Sequence, residues 1–196
     1  MNSYDFDKTI FYPDSSFCFY RYCLHRFPSA VLPTVPRSLR LAIRYKNGEI
    51  GAKALKEQLF SFLPAVPDVD AAVTDFWQKN EQRIGSWYLA QKKSDDLILS
   101  ASPRFLLQPI CDKLGVELIA TEMDSHSGKI SGENCHDHEK VRRFYLRDPD
   151  GHTEAFYSDS LTDSPMAEIA DHAFLVKKHR LSPWPFEQTA LKTNQR

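Results

Sequence analysis

Two carboxylates stand one residue apart in Asp5-Phe6-Asp7-Lys8-Thr9, near the start of a 196-residue chain. Side chains two apart on a strand point the same way, so Asp5 and Asp7 can converge on one ligand just past a strand's carboxyl end. Open α/β sheets bind their ligands at that edge. Acidic turns and helix caps also produce Asp-x-Asp-x-Thr by chance, so the company it keeps matters. Ser100 ends the run Leu97-Ile98-Leu99, Lys140 lies early in a helical stretch, and Asp159 and Asp163 follow an apolar run ending at Tyr157. In a parallel sheet these positions share one edge and can meet around one anion and one cation. Phosphoryl transfer needs such a setting, because it rests on in-line positioning and on neutralising charge at the equatorial oxygens.

The elements that must position these groups alternate strand and helix from about Ser94. Leu97-Ile98-Leu99 reads as a strand, Ser102-Pro103 as the N-cap and first residue of a helix running to Leu114, and Gly115 as its stop. A second apolar run covers 116–120. After a turn region at Gly128 and Gly132 comes a helix over 137–146, ended by Asp148-Pro149-Asp150-Gly151. A strand over 154–157, a short helix from Ser164-Pro165 and a strand over 173–176 complete the repeat. The fold class is α/β: a Rossmann-like parallel sheet with helices on both faces. The first strand, Asn2-Ser3-Tyr4, is short and polar and reads as a frayed sheet edge, and the polar tail from Ser182 reads as frayed despite Trp184 and Phe186.

Residues 14–91 differ, with helical periodicity throughout and no convincing strand. Phe17, Tyr20, Leu24 and Phe27 form an i, i+3, i+7, i+10 stripe that suits core packing. Leu55, Leu59, Phe62, Phe76, Trp77, Ile84 and Tyr88 supply further apolar faces. The block reads as an all-helical insertion, which divides the chain into a core of 1–13 and 92–196 and a cap of 14–91.

Composition is that of a globular protein: 42% hydrophobic, 26% charged and 12% aromatic, which excludes disordered and collagen-like chains. The most apolar stretch, 30–43, is interrupted by Pro33, Pro36, Arg37 and Arg40, so no membrane span is expected. The first residues lack a basic patch followed by an apolar run, and the four scattered cysteines need no pairing, so a cytosolic location is expected. From Arg21 to Lys56 there are eight basic residues against the single acid Glu49, a surface that attracts anions or a solvated helical face. Cys135-His136-Asp137-His138 crowds metal-ligating types together, but consecutive residues cannot all face one ion. His126, His152, His172 and His179 read as ordinary surface or strand-edge residues. No nucleophile-elbow serine, phosphate-binding glycine loop or dinucleotide fingerprint is present, and the basic run belongs to no nucleic-acid-binding module.

The pieces DFDKTI, LILSASPRFLLQPICDKLGVELIAT, GKISGENCHDHEKVRRF and AFYSDSLTDSPM, in this order, resemble the four motifs of the haloacid dehalogenase-like superfamily over nearly the whole chain. A helical insert directly after the first motif further resembles the branch containing phosphoserine phosphatases and bacterial phosphatidylglycerophosphatases, where the insert caps the active site. The resemblance implies that Asp5 is a nucleophile forming an aspartyl-phosphate, that Asp7 protonates the leaving oxygen and then activates water, and that Thr9 orients Asp7. It implies that Ser100 and backbone amides around Ala101 bind the phosphoryl oxygens, with Thr9 assigned to the same phosphate-binding group, and that Lys140 neutralises charge. Mg²⁺ would be held by the Asp5 and Asp159 side chains and the Asp7 carbonyl, with Asp163 ordering metal-bound water or Lys140.

Charge logic agrees with those roles. A cation beside Asp5 keeps it ionised, whereas Asp7, turned to the leaving group, can stay protonated until needed. A leaving halide needs no proton, so the second aspartate favours a phosphatase over a dehalogenase. The fourth motif, Ser158-Asp159-Ser160-Leu161-Thr162-Asp163, lacks the glycine-rich form of phosphoserine phosphatases, and Asp14 stands where those enzymes carry a glutamate. The stretch PDSSFCFYRYCLHRFP looks closer to the phosphatidylglycerophosphatases, without the apolar segment expected next. The resulting expectation is a Mg²⁺-dependent phosphatase for a small phosphate monoester. Its rivals are a lipid phosphate phosphatase and a non-catalytic anion-binding protein. Nucleic acid is not an expected partner; the basic stretch offers a peripheral contact to an anionic membrane.

Overall fold

The computed structural model describes residues 1–186. Strands β1 (Asn2–Tyr4), β2 (Leu97–Pro103), β3 (Glu117–Thr121), β4 (Thr153–Ser158), β5 (Ala170–Lys177) and β6 (Arg180–Pro183) form one sheet in the order β3-β2-β1-β4-β5-β6. The first five run parallel and β6 pairs antiparallel with β5, so the sheet is mixed rather than wholly parallel. A hairpin through Lys178 and His179, both at positive φ, turns β5 back on itself before the polar tail begins. The tail is also anchored further than expected: Trp184 is buried, and its backbone N–H donates to the Ala173 carbonyl at 2.9 Å. The rest of the expected frayed tail lies outside the described residues.

The short polar strand is no edge. β1 sits between β2 and β4 with all three residues buried. Its polarity is absorbed locally: the Ser3 hydroxyl bonds that of Thr153 at 2.7 Å, and the Tyr4 ring stacks on Tyr157 with centroids 4.7 Å apart. Strand order reverses between β1 and β4, the switch point where the loops leaving the carboxyl ends diverge and open a crevice.

Alternation sorts the strand side chains onto two faces. Ile98, Tyr4 and Tyr157 enter one core with α1 (Ser15–Arg26), α5 (Val69–Asn80), α6 (Ser86–Gln91) and α7 (Arg104–Leu114). Leu97, Leu99 and Phe156 enter the other, with α8 (His138–Arg147) and α9 (Ser164–Glu168). The helix expected from Ser102 begins later, at Arg104, because β2 continues through Pro103 and the Ser102 hydroxyl is engaged elsewhere. Gly115, at φ +67, closes α7 as expected.

Residues 15–91 contain helices only, including α2 (Pro28–Val31), α3 (Val35–Lys46) and α4 (Ala52–Leu59). On α1 the fully buried apolar residues are Phe19 and Cys23, whereas Tyr20, Leu24 and Phe27 are half-buried and Phe17 is exposed, so the helix is rotated from the expected stripe. The reason is that Ser15 and Ser16 must face the sheet edge, where they join a hydroxyl cluster with Ser102. Aromatic packing fuses the helical block to the sheet: Trp77 meets Phe6 and Phe11 edge-on at 5.8 and 5.2 Å, and its indole N–H donates to the Leu106 carbonyl at 2.6 Å. Trp77→Ala is expected to cost about 3–5 kcal/mol by leaving a cavity in this shared core. Urea unfolding followed by circular dichroism and by fluorescence should show one cooperative transition at a lowered midpoint; separate transitions would contradict a common core.

Candidate active site

The backbone N–H of Asp5 extends the β1–β4 ladder onto the Tyr157 carbonyl at 2.8 Å, carrying the Asp5 carboxylate past the sheet's carboxyl edge. There it meets Lys140, in the first turn of α8, whose side chain is almost wholly buried. The ammonium donates at 2.7 Å to Asp5 Oδ1 and at 2.7 Å to Asp163 Oδ2, and the Ser158 hydroxyl donates to the same Asp163 oxygen at 2.7 Å. Burial pushes the Asp5 carboxyl up, and the adjacent Lys140 ammonium pulls it back down. Burial also lowers Lys140, but Asp163 and Asp5 outweigh it and hold the ammonium above the ordinary lysine range. The shared proton therefore belongs to Lys140, because the ammonium faces two carboxylates whereas Asp5 faces one ammonium.

Asp7 lives among neutral donors. Its Oδ1 accepts from the Ser15 backbone N–H at 2.6 Å and its Oδ2 from the Ser102 hydroxyl at 2.5 Å. Burial and the neighbouring Asp14 raise it, while the Ser102 and Ser15 bonds restrain the rise. Lys8, in the left-handed region at φ +57, turns the chain back immediately after Asp7, with its N–H on the Phe11 carbonyl at 2.7 Å. Two carboxylates of one cavity thus sit in opposite surroundings.

Asp5, Asp7, Ser100, Ala101, Lys140, Asp159 and Asp163 line a single open cavity of about 520 Å³. Of the sequence-derived set, only Thr9 lies outside its wall. Thr9 is fully buried, its hydroxyl lies 3.4 Å from Asp5 Oδ2 and accepts the Asp159 N–H at 2.9 Å, so it ties the β1 loop to the β4 loop. The expected contact from Thr9 to Asp7 is not made, since Ser102 and the start of α1 occupy that carboxylate. Ser100 Oγ accepts the Ser102 N–H at 3.1 Å, shaping the turn at the cavity floor. Asp14 lines the cavity while capping α1 through the Phe17 N–H at 2.9 Å.

Two lining residues, Lys56 and Asn134, had no distinctive signal in the sequence, and a third, His136, stood in the Cys135-His136-Asp137-His138 crowd that reads as no metal site. Lys56 of α4 donates to the Ala101 carbonyl and to Asn134 Oδ1, the latter at 2.7 Å, and burial lowers its ammonium to about 8. It was one basic residue among eight, and Asn134 and His136 lay in an irregular loop. That loop is laced to α4: Lys53 reaches the Gly132 carbonyl at 2.6 Å, Glu57 accepts the Ile130 N–H at 3.0 Å, and Gly128, at φ +70, lies so close to the Phe60 carbonyl that a Cβ would clash. Ser102 was visible but its role was not, because a serine before proline resembles a helix cap.

The cavity also offers hard oxygen donors. Burial raises the Asp159 carboxyl, and among the described residues no hydrogen bond reaches it. Among those residues no three His, Cys, Asp or Glu side chains converge as a ready cage. Two carboxylates, Asp5 and Asp159, on one crevice nonetheless suit a divalent ion that keeps several of its waters.

The sequence pattern of the haloacid dehalogenase-like hydrolases matches residues 3–168. No curated protein matches the chain. Among solved structures, a protein of unknown function from Bordetella pertussis Tohama I superposes with a TM-score of 0.75 at 22% identity, covering 99% of this chain and 95% of that one. A phosphoserine phosphohydrolase-like protein from Francisella tularensis subsp. tularensis SCHU S4 gives 0.58 at 16% identity, over 98% and 93%. A phospho-aspartyl intermediate analogue of phosphoserine phosphatase gives 0.52 at 14% identity, over 87% and 83%. The fold is common to all of them.

Removing the ammonium would leave two buried carboxylates facing each other. Lys140→Met is expected to cost about 3–5 kcal/mol at neutral pH. Asp5, raised by burial, then loses the pull of Lys140, so its folded pKa lies further above its unfolded one and the deficit should shrink as pH falls through it. Urea titrations of both proteins at neutral and mildly acid pH measure this, and a deficit independent of pH would contradict the charge assignment.

Proposed function

The chain belongs to the haloacid dehalogenase-like hydrolases, and from that membership we propose that it is a Mg²⁺-dependent phosphatase. It would hydrolyse a phosphate monoester, a small one in the first instance, through an aspartyl-phosphate on Asp5. One observation carries this reading: two aspartates of one cavity, Asp5 paired with a buried ammonium and Asp7 with neutral hydroxyl and amide donors. Opposite surroundings suit opposite roles, an ionised nucleophile and a proton-bearing acid.

Asp5 attacks the phosphorus in line, the bond to the ester oxygen breaks, and Asp7 gives that oxygen its proton. Asp7, now a carboxylate, takes a proton from the water that attacks the phosphorus of the acyl phosphate, releasing phosphate and restoring Asp5. The Ser100 hydroxyl and the backbone around Ala101 bind phosphoryl oxygens, while Lys140 offsets charge and Asp163 fixes Lys140. Ser102 and the first turn of α1 hold Asp7 toward the leaving group. The Asp5 and Asp159 carboxylates with the Asp7 carbonyl form an all-oxygen set that fits Mg²⁺, which supplies charge neutralisation at the phosphoryl oxygens when bound.

A lipid phosphate is the second reading, favoured by Phe17, Tyr45, Leu55 and Leu59, whose side chains give the cavity an apolar portion. Inorganic phosphate release across phosphoserine, sugar phosphates, nucleotides and phosphatidylglycerophosphate separates the two. Absence of release from every ester would end the phosphatase reading.

Asp5→Asn is expected to abolish turnover while the melting curve stays close to that of the wild type; retained activity would remove the nucleophile assignment. Asp7→Asn should slow first-turnover alcohol release from alkyl phosphates by about 10²–10⁴-fold and spare the first-turnover burst of p-nitrophenol from p-nitrophenyl phosphate, whose leaving group departs without a proton. Equal losses on both would contradict the acid role. Excess EDTA should silence the enzyme and added Mg²⁺ restore it, with phosphate release as the readout.

A further inference from the structure

The helix α3 stands apart from the rest of the fold: none of its twelve residues is buried, although it packs along α4. Its outward side carries Leu39 and Ile43, 64% and 57% exposed, in line with Leu32 of the preceding turn at 57%. Beside that apolar row Arg37, Arg40 and Arg44 follow at i, i+3 and i+7, a second row along the same helix, and Lys46 adds a fourth cation. All four are exposed, and the helix contains no acid. Glu49, just beyond its end, pairs with Arg44 at 3.0 Å and leaves the others without an ion pair among the described residues.

We propose that α3 is a docking face for an anionic lipid bilayer, lying in the interface plane with Leu32, Leu39 and Ile43 among the acyl chains and the arginine row on the headgroups. Charge complementarity selects this occupant. An apolar row of this kind needs cover, and a parallel row of guanidinium groups on an acid-free helix matches a continuous sheet of phosphates. Among the described residues no helix is long and apolar enough to cross a membrane, so the contact is peripheral. Tyr45, in the last turn of the same helix, lines the cavity, so the docking face and a wall of the cavity belong to one helix.

The docking face is independent of the phosphatase reading, and its test needs no turnover. The full chain is sedimented with vesicles of phosphatidylcholine alone and of phosphatidylcholine with phosphatidylglycerol, at low and high salt. The expected result is binding only to the anionic vesicles, weakened by salt. It should fall about tenfold in Leu39→Glu/Ile43→Glu and in Arg37→Gln/Arg40→Gln, with circular dichroism melting curves unchanged. Failure to bind anionic vesicles, equal binding to neutral ones, or binding indifferent to both double variants would overturn the proposal. So would concentration-dependent dimerisation in gel filtration that Leu39→Glu/Ile43→Glu abolishes, since a second copy would then be the occupant.

Discussion

A single buried ammonium, that of Lys140, organises this molecule's reactive edge. Taking one cation and two carboxylates out of water is costly, and the cost is offset only if each charge is met at hydrogen-bond distance. Asp5 and Asp163 meet it at 2.7 Å, and Ser158 supplies a further donor to Asp163. Because the three charged groups come from β1, α8 and the turn after β4, their joint satisfaction fixes where the ends of those elements lie. Loss of any one leaves the others stranded in a medium that cannot solvate them.

The remaining architecture serves that constraint. β1 could be reduced to three residues because it lies between two parallel neighbours, and its polar Ser3 finds a hydroxyl partner inside the sheet. The reversal of strand order beside β1 places Asp5 and Asp159 across one crevice, and Thr9 pins their two loops together. On the far side, Ser15, Ser16 and Ser102 form a hydroxyl cluster that holds Asp7 apart from the ammonium. Two like carboxylates of one cavity are thus given different partners, an ammonium for one and neutral donors for the other.

Much of this was legible in the sequence, where strand periodicity and the ends of apolar runs carried Asp5, Asp7, Ser100, Lys140, Asp159 and Asp163 to one edge. Such a signal is local in kind: alternation tells which way a side chain points, and parallel connections tell which ends are shared. What it could not convey was partnership across the chain. Ser102 read as a helix cap because its neighbour is proline, while its hydroxyl is spent on a residue 95 positions earlier. Lys56 was lost within a basic run, since only the packing of α4 against the loop before α8 distinguishes it. The antiparallel β6 escaped because it spans only Arg180–Pro183 and all four residues are exposed, so no alternation of buried and exposed positions marks it.

The helical block is attached unevenly. Phe19, Phe76 and Trp77 lock α1 and α5 into the same aromatic core as the sheet, whereas α3 has no buried residue and α4 grips the cavity through the polar contacts of Lys53, Lys56 and Glu57. Rigid-body motion of the whole block would have to tear an aromatic core, while lifting α3 and α4 breaks mainly hydrogen bonds that water can replace. The outer pair thus meets the cavity through polar contacts, with the Lys56 ammonium tying α4 to the Ala101 carbonyl at the end of β2 and to Asn134 of the facing loop.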